Sequence, residues 1–523
     1  MIRINFKTCI IILGVFLCTG NAKAQDSLIS AHTSNRLLLE NQWLNTNNIA
    51  GTVFNPFLAD GDFVLGYTTK NGDLKYTQLS PDEETYSFNA VKSVRVNNTF
   101  YSGYIGYQNM QQNDVGWTGR MNPITHNPYM LADSIFGLYK KDYIKLGGGF
   151  GYLISDRFSS GINVNYVVAD GARIKDPRPQ NHLFTLEAFP SFIYSFDKFK
   201  LGLNVSLRTG REKIYYTLLE GRQTYRFFRS SGLGKIAKAS EENAYTRNYY
   251  LSGLGGELQA QYSLAKIKLL SGFGYFSQTE KSEDGPSNTY KSEGGDFKEN
   301  TYRFYTILNY GKDLIHSFSI SMDVLSGKGI EFLQEKYKIN GVDNYRTIAE
   351  IENYSTFEII PSVKYTLAKP YNDYLNKWEI TLNVEMDNFS AEYLLEAEES
   401  YTNIVTNLEL NKSFFFKKSM LRFSTSGMLI YNISNDLKQL RAYTSSHEIA
   451  FWDNVIEPDF LISTSNIYAL GANLRYGKNV NILKDRNSMV YVDLGINYKS
   501  GSNNLWIENK SFEVYSFKIG ITY

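Results

Sequence analysis

The stretch Phe199-Lys200-Leu201-Gly202-Leu203-Asn204-Val205-Ser206-Leu207-Arg208 decides the fold class. Five apolar side chains hold the odd positions, and Lys200, Gly202, Asn204, Ser206 and Arg208 hold the even ones. A period of two sustained over ten residues is a strand, because successive Cβ atoms point to opposite faces of a pleated chain. Trp378, Ile380, Leu382, Val384 and Met386 repeat the pattern against Glu379, Thr381, Asn383, Glu385 and Asp387. So do Phe318, Ile320, Met322 and Val324 against Ser317, Ser319, Ser321 and Asp323, and Val490, Val492, Leu494, Ile496 and Tyr498 against Tyr491, Asp493, Gly495, Asn497 and Lys499.

Length gives these strands a setting. Strands of soluble sheets are typically ~5 to 6 residues long, whereas the segments here approach the ~9 to 11 that a tilted strand needs to cross a bilayer. Trp378, Tyr194, Tyr275, Tyr365, Tyr476 and Tyr498 stand at ends of the apolar faces, where a girdle at the lipid interface belongs. Outward from Phe199, the periodicity predicts strands near 62–70, 84–96, 99–110, 142–154, 158–170, 182–196, 199–212, 246–263 and 266–279. The second half follows near 299–311, 315–327, 352–367, 377–390, 399–413, 419–432, 465–477, 487–499 and 510–523. Short gaps around Ser155, Asp197, Ala265, Asp313 and Lys417 alternate with long ones at 111–141, 213–245, 328–351 and 433–464. Short periplasmic turns and long outer loops alternate in this way in outer-membrane barrels. The expected fold is therefore all-β: a transmembrane antiparallel β-barrel of about 18 strands, range 14 to 18, occupying 61–523 with long extracellular loops.

Composition agrees. A chain of 523 residues with 43% hydrophobic and 20% charged residues is too polar on average for a bundle of membrane helices. Its 40 Tyr and 33 Phe against 11 Pro suit strands that face two solvents. Residues 1–24 read as an export signal, with Arg3 and Lys7 before the apolar run Cys9 to Cys18, and Ala22-Lys23-Ala24 as the cleavage site. Cleavage after Ala24 removes both cysteines, and with them any disulfide or thiolate chemistry. It also leaves 51 basic against 53 acidic residues, a balance that gives no electrostatic case for nucleic acid. Residues 25–60, with Leu37, Leu38, Leu39 and Trp43, form either a periplasmic extension or a plug folded into the lumen.

The last strand sets Tyr515, Phe517, Ile519, Ile521 and terminal Tyr523 against Ser516, Lys518, Gly520 and Thr522. It resembles the C-terminal signal, here Phe517, Ile519, Ile521 and Tyr523, by which the barrel-assembly machinery reads Gram-negative outer-membrane barrels; Tyr523 replaces the usual Phe but keeps the ring. With its Tyr/Asn-rich strands and pairs such as Gly66-Tyr67 and Gly106-Tyr107, the chain from Ala50 onward is similar to uncharacterised outer-membrane β-barrel proteins of Bacteroidota. That resemblance implies an address in the outer membrane and transfers no catalytic motif.

Function is less legible. Lumen-facing Glu379, Glu385, Asp387, Glu409, Asp493, Arg303, Arg422 and Arg475 would set selectivity in an open pore or cancel as ion pairs in a filled one. A basic outer loop with Arg211, Lys213, Arg222, Arg226 and Arg229, interleaved with Tyr215, Tyr216, Tyr225, Phe227 and Phe228, suits lipopolysaccharide phosphates or an anionic ligand. The acidic run Glu280, Glu283, Asp284, Glu293, Asp296 and Glu299 lacks the spacing of a calcium loop and reads as solvated or salt-paired. His126 and His182 make no metal or catalytic pair by spacing. Alternation runs through Gly147-Gly148-Gly149-Phe150-Gly151 with no helix after it, so that run makes room at the wall rather than a phosphate cradle. Glu187-Ala188-Phe189-Pro190-Ser191-Phe192-Ile193-Tyr194 and Glu358-Ile359-Ile360-Pro361-Ser362-Val363-Lys364-Tyr365 share Glu, Pro, Ser and Tyr at one spacing, each with its proline expected near the membrane edge.

The leading expectation is a channel or uptake barrel for a solute, accessory to a larger receptor in one version. The alternatives are a surface-assembly or secretion component, an adhesive scaffold and, last, a membrane-embedded hydrolase. No cofactor is expected. Expected partners are outer-membrane lipid and lipopolysaccharide, the barrel-assembly machinery, and a partner receptor or surface lipoprotein.

Overall fold

The computed structural model describes residues 35–54, 59–217, 227–238, 244–285, 291–339, 342–372, 375–394, 396–439, 445–483, 486–504 and 506–523. The export signal expected at 1–24 lies outside the described residues, as do Arg222 and Arg226. In chain order the strands are β1 (Ala59–Gly72), β2 (Asp82–Val96), β3 (Thr99–Val115), β4 (Leu131–Ala132), β5 (Gly137–Ser155), β6 (Phe158–Arg173) and β7 (Arg178–Phe196). Next come β8 (Phe199–Thr217), β9 (Phe228–Gly232), β10 (Lys235–Lys238), β11 (Ala244–Leu264), β12 (Ile267–Asp284), β13 (Ser292–Tyr310) and β14 (Ile315–Ile339). The last seven are β15 (Val342–Pro370), β16 (Asn376–Tyr393), β17 (Ala397–Phe415), β18 (Ser419–Lys438), β19 (Asn466–Leu483), β20 (Arg486–Ser502) and β21 (Ser511–Thr522).

Eighteen of these form one sheet, all but β4, β9 and β10, which make a small three-stranded sheet of their own. Each wall strand pairs antiparallel with its neighbour in the chain, and β21 returns to pair with β1 from Asp62 opposite Thr522 to Gly72 opposite Phe512. The sheet is thus a closed barrel with no free edge, the only sheet form that satisfies every backbone group in lipid. Tyr523 completes the seam, its amide donating to the Gly61 carbonyl at 3.0 Å and its ring lying where a Cβ on Gly61 would be.

Burial is inverted relative to a soluble protein. On β11 Leu258 is 64% exposed while its neighbour Gln259 is 3% exposed, and on β8 Leu201, Leu203 and Leu207 are exposed while Asn204 is buried. The apolar face looks out, as a wall solvated by acyl chains requires, and the polar face looks into the lumen. No helix among the described residues is long and apolar enough to cross a membrane; the crossing is done by strands.

Two expectations need correction. The gap at 328–351 is not a loop: β14 and β15 continue through it as paired strands of 25 and 29 residues. Above the lipid both faces of a ribbon meet water, so the apolar contrast that marks a strand disappears. Pro190 and Pro361 also lie within the wall rather than at its edge. The β7–β8 ladder skips Phe189 and Pro190, and the β15–β16 ladder skips Ile360 and Pro361, as expected of a residue without a donor N–H.

Candidate functional site

Much of the lumen is filled by segments folded inward from both ends. At the outer end, the connection between β3 and β5 turns into the barrel and is clamped by charge. Arg120 donates to both oxygens of Glu280 at 2.8 and 2.9 Å and to Glu212 at 3.3 Å, while Glu212 also accepts the Met121 amide at 2.7 Å. Arg173 holds Asp133 with two contacts at 2.7 and 2.8 Å, and Arg247 holds Asp284 with two at 2.6 Å while donating to the Tyr129 carbonyl. Bidentate pairs of this kind fix orientation as well as position.

On this inward loop, β4 pairs with β9, and β9 with β10. Over them lie α2 (Ser446–Phe451), a π turn and α3 (Glu457–Ser463). Ser445 caps α2 with a reciprocal Ser–Glu448 box, and Lys235 reaches Glu448 at 2.6 Å. Trp117, Phe228, Ile236, Phe451 and Val455 form one apolar cluster that binds loop, sheet and helices into a lid. Phe227, Tyr216, Ile214, Leu131 and Tyr249 seat the lid on the wall.

Under the lid is a chamber of about 510 Å³. Its apolar lining includes Phe297, Tyr354, Phe389, Tyr401 and Phe451, and its carboxylates are Glu280, Glu299, Glu399 and Asp459. His126 projects from the inward loop, stacks on Phe389 and meets Glu299 at 2.9 Å and Glu358 at 3.8 Å. Burial opposes the imidazolium, but the hydrogen bond and charge of Glu299, with the charges of Glu358 and Asp387, outweigh it and raise His126 above the usual histidine range. On α3, burial pushes the Asp459 carboxyl up to about 6, although it accepts the Thr77 amide at 2.7 Å and has Lys75 nearby.

At the other end, residues 35–54 lie against the lumen wall as α1 (Asn35–Glu40) and two 3₁₀ turns, Gln42–Asn45 and Ile49–Phe54. Gln42 donates to the Lys268 and Ile307 carbonyls at 3.0 and 2.9 Å, Trp43 to Gln261 at 2.9 Å, and Asn48 to Gln259 at 2.8 Å. Trp43 covers Gly202, and Ile49 fills the space a Cβ would take at Gly149 and Gly161. Such close approach is what the glycine-rich wall permits.

The lumen charges expected from sequence divide into groups. Arg303 pairs with Asp323 at 2.7 Å, and Arg475 pairs with Asp493 and lies 4.4 Å from the Tyr491 ring. Arg475 stands opposite Arg422 in the β18–β19 ladder, and Glu379 and Glu409 supply opposing charge to Arg422. Glu385 and Asp387 lie on β16, with Asp387 close enough to feel the His126 charge.

The basic set does not stay together. Arg211 and Lys213 belong to strand β8 rather than to a loop, on the face of Leu207 that looks away from the lumen; Arg229 lies inside on β9, 3.6 Å from Asp284. Tyr216, Phe227 and Phe228 are core of the lid rather than a ligand surface. The acidic run is largely salt-paired: Glu280 with Arg120, Asp284 with Arg247, Glu283 with Lys291, Asp296 with Lys281 and Glu299 with His126. Among the described residues no group of three His, Cys, Asp or Glu has metal-binding geometry. His182 pairs with Asp170 on exposed strand surface and does not meet His126. Sequence reading missed Arg120, Glu299, Glu399, Tyr401 and Asp459 as parts of one site. The Ser445-Ser446-His447-Glu448 capping signal is the one cue that marks the 433–464 gap as folded.

The model of a family of unknown function (DUF6850) matches residues 50–523, and the chain belongs to that family. No curated protein matches the chain by sequence. Among solved structures it is similar to the ferric preacinetobactin receptor of Acinetobacter baumannii, at 9% identity and a TM-score of 0.39 over 89% of this chain and 80% of that one. It is likewise similar to the outer-membrane transporter YddB of Escherichia coli, at 9% identity and 0.39 over 88% and 80%, and to the RagAB peptide transporter, at 9% and 0.38 over 88% and 86%. At such identities and scores the likenesses assign no substrate. The closed barrel and its apolar outer wall are the architecture of the bacterial outer membrane.

Proposed function

We propose that this DUF6850 barrel is a closed uptake barrel that admits a small solute when its lid and its N-terminal segment move aside. The observation that carries the reading is the pair of inward-folded closures, one at each end of a polar lumen, with a ligand-sized chamber under the outer one. A rigid scaffold would gain nothing from a walled chamber, whereas a transport barrel needs a place for its solute to pause. Residues 35–54 act in this reading as a plug, after removal of 1–24 as an export signal. The outward Arg211 and Lys213 meet lipopolysaccharide phosphates, and Phe517, Ile519, Ile521 and Tyr523 present the assembly signal. A receptor or surface lipoprotein is the expected trigger for opening.

Planar-bilayer recording tests the reading. The native protein is expected to be nearly silent, removal of residues 25–54 to give brief openings, and that deletion combined with Arg120→Ala to give stable stepwise conductance. A double variant that folds, as judged by heat-modifiable migration on a gel, and still conducts nothing overturns it.

A further inference from the structure

We propose that the chamber beneath the lid binds a small organic cation, an amine or guanidinium carried on an apolar body; this assignment rests on the uptake reading above. The inventory of charge around the chamber points to it. Glu280 is neutralised by Arg120, and Glu299 by His126 with a further hydrogen bond from Gln278 at 2.9 Å. Glu399 and Asp459 remain. Glu399 is half-buried, lines the chamber and feels the charge of Asp459, and its carboxylate makes no hydrogen bond or ion pair among the described residues. Asp459 accepts one backbone amide, while the ammonium of Lys75 spends its hydrogen bonds on the Tyr76 and Thr77 carbonyls.

Two half-buried carboxylates whose like charges oppose one another across a cavity favour a cation between them, which relieves the repulsion and offsets their partial loss of hydration. A bare metal ion is a poor fit, since no three ligating side chains among the described residues converge. An organic cation fits on both counts. Its charged head would take Glu399 and Asp459, and its apolar body would lie against the rings of Tyr401 and Phe451 that also line the chamber. A volume of about 510 Å³ is in the range of small-molecule sites.

Three probes of one shape separate charge from fit: tyramine, neutral 4-ethylphenol and anionic 4-hydroxyphenylacetate, titrated calorimetrically into the detergent-solubilised full chain at pH 7.5. Tyramine is expected to bind at least tenfold more tightly than 4-ethylphenol, with no binding of the anion. Glu399→Gln should cost tyramine at least tenfold and leave 4-ethylphenol unchanged. Equal binding of all three probes, binding of none, or a folded Glu399→Gln protein with native tyramine affinity overturns the proposal. Should that variant not fold, the ranking of probes on the native protein decides. Tyramine flux into proteoliposomes is read separately. Binding in the expected order without flux through the opened double variant sinks the uptake reading and leaves the chamber, whereas flux without binding does the reverse.

Discussion

The two inward closures are built from different forces. The lid is tied by buried ion pairs, Arg120 to Glu212 and Glu280 and Arg173 to Asp133, and by Arg247, which the wall residue Asp284 holds in place to donate to the Tyr129 carbonyl. The basal segment is tied chiefly by neutral amides, Gln42, Asn48, Gln259 and Gln261, around the Trp43 ring. Its seat is also imperfect, for the Asn48 Oδ1 and both amide atoms of the wall residue Asn204 are buried without a partner. A neutral hydrogen bond contributes ~1 kcal/mol net, while stripping one partner from a buried ion pair costs ~3–5 kcal/mol. The lid is thus built to break all at once, and the basal segment to slip by small steps.

Experiments can break or sharpen this contrast. The largest effect is expected from Arg120→Ala, which strands Glu212 and Glu280 and should destabilise lid docking by ~3–5 kcal/mol. Limited proteolysis should then cut within 116–136, in a barrel that still migrates as folded; native-like resistance would refute the clamp. Trp43→Ala is expected to loosen the basal segment by about 3 kcal/mol through lost packing on Gly202 and Ile193. A spin label at Asn45 should become mobile while labels on the lid do not. Gln42→Ala removes two hydrogen bonds to wall carbonyls, for ~1–2 kcal/mol, visible as faster amide exchange in 42–54. An effect as large as that of Arg120→Ala would erase the distinction.

The smallest expected effect is of pH, and it should touch one closure only. Asp459, raised by burial to about 6 against the opposing Thr77 amide and Lys75, favours the docked lid while protonated. That contribution is present below the free aspartate value near 4 and is lost as pH climbs to about 6. His126, raised by Glu299, Glu358 and Asp387 over the opposing effect of burial, adds stability that is complete below ~6.5 and lost above its elevated value. Both signs agree, while Glu448, held low by Lys235 and Ser445 over the opposing effect of burial, acts the other way only at the acid end: amide protection in 116–136 and 445–465 should fall as pH rises from 5 to 8. Residues 41–54 contain no histidine, aspartate or glutamate, and their protection should stay flat. A lid insensitive to pH in both native and Asp459→Asn protein would contradict this.

The wall was readable because lipid outside and polar lumen inside impose a period of two over its whole circumference, and all eighteen strands fall where the alternation puts them. The ribbon at 331–353 escaped because water on both faces leaves no such imprint. The lid escaped for another reason: it is written in pairs such as Arg120 with Glu280, distant in sequence, whose meeting depends on the finished barrel. Local pattern announces Glu379 or Asp493 as lumen residues, yet nothing local says that Glu399 is left without a counter-ion while Glu299 is not.

The tall ribbon also has a bearing on what the cell shows to its surroundings. Pairing of β14 with β13 stops at Ile330, and pairing of β15 with β16 starts at Tyr354, so the two strands between rise unaccompanied. At ~3.4 Å per residue and a tilt near 40°, the 29 residues of β15 climb ~75 Å, against a hydrocarbon layer of ~30 Å. A bacteriophage tail or an antibody approaching from outside therefore touches a blade, with Leu333, Tyr337 and Ile348 bare on its flanks, long before it reaches the mouth. Immune or viral pressure on this protein would be recorded there, in residues remote from whatever solute it handles.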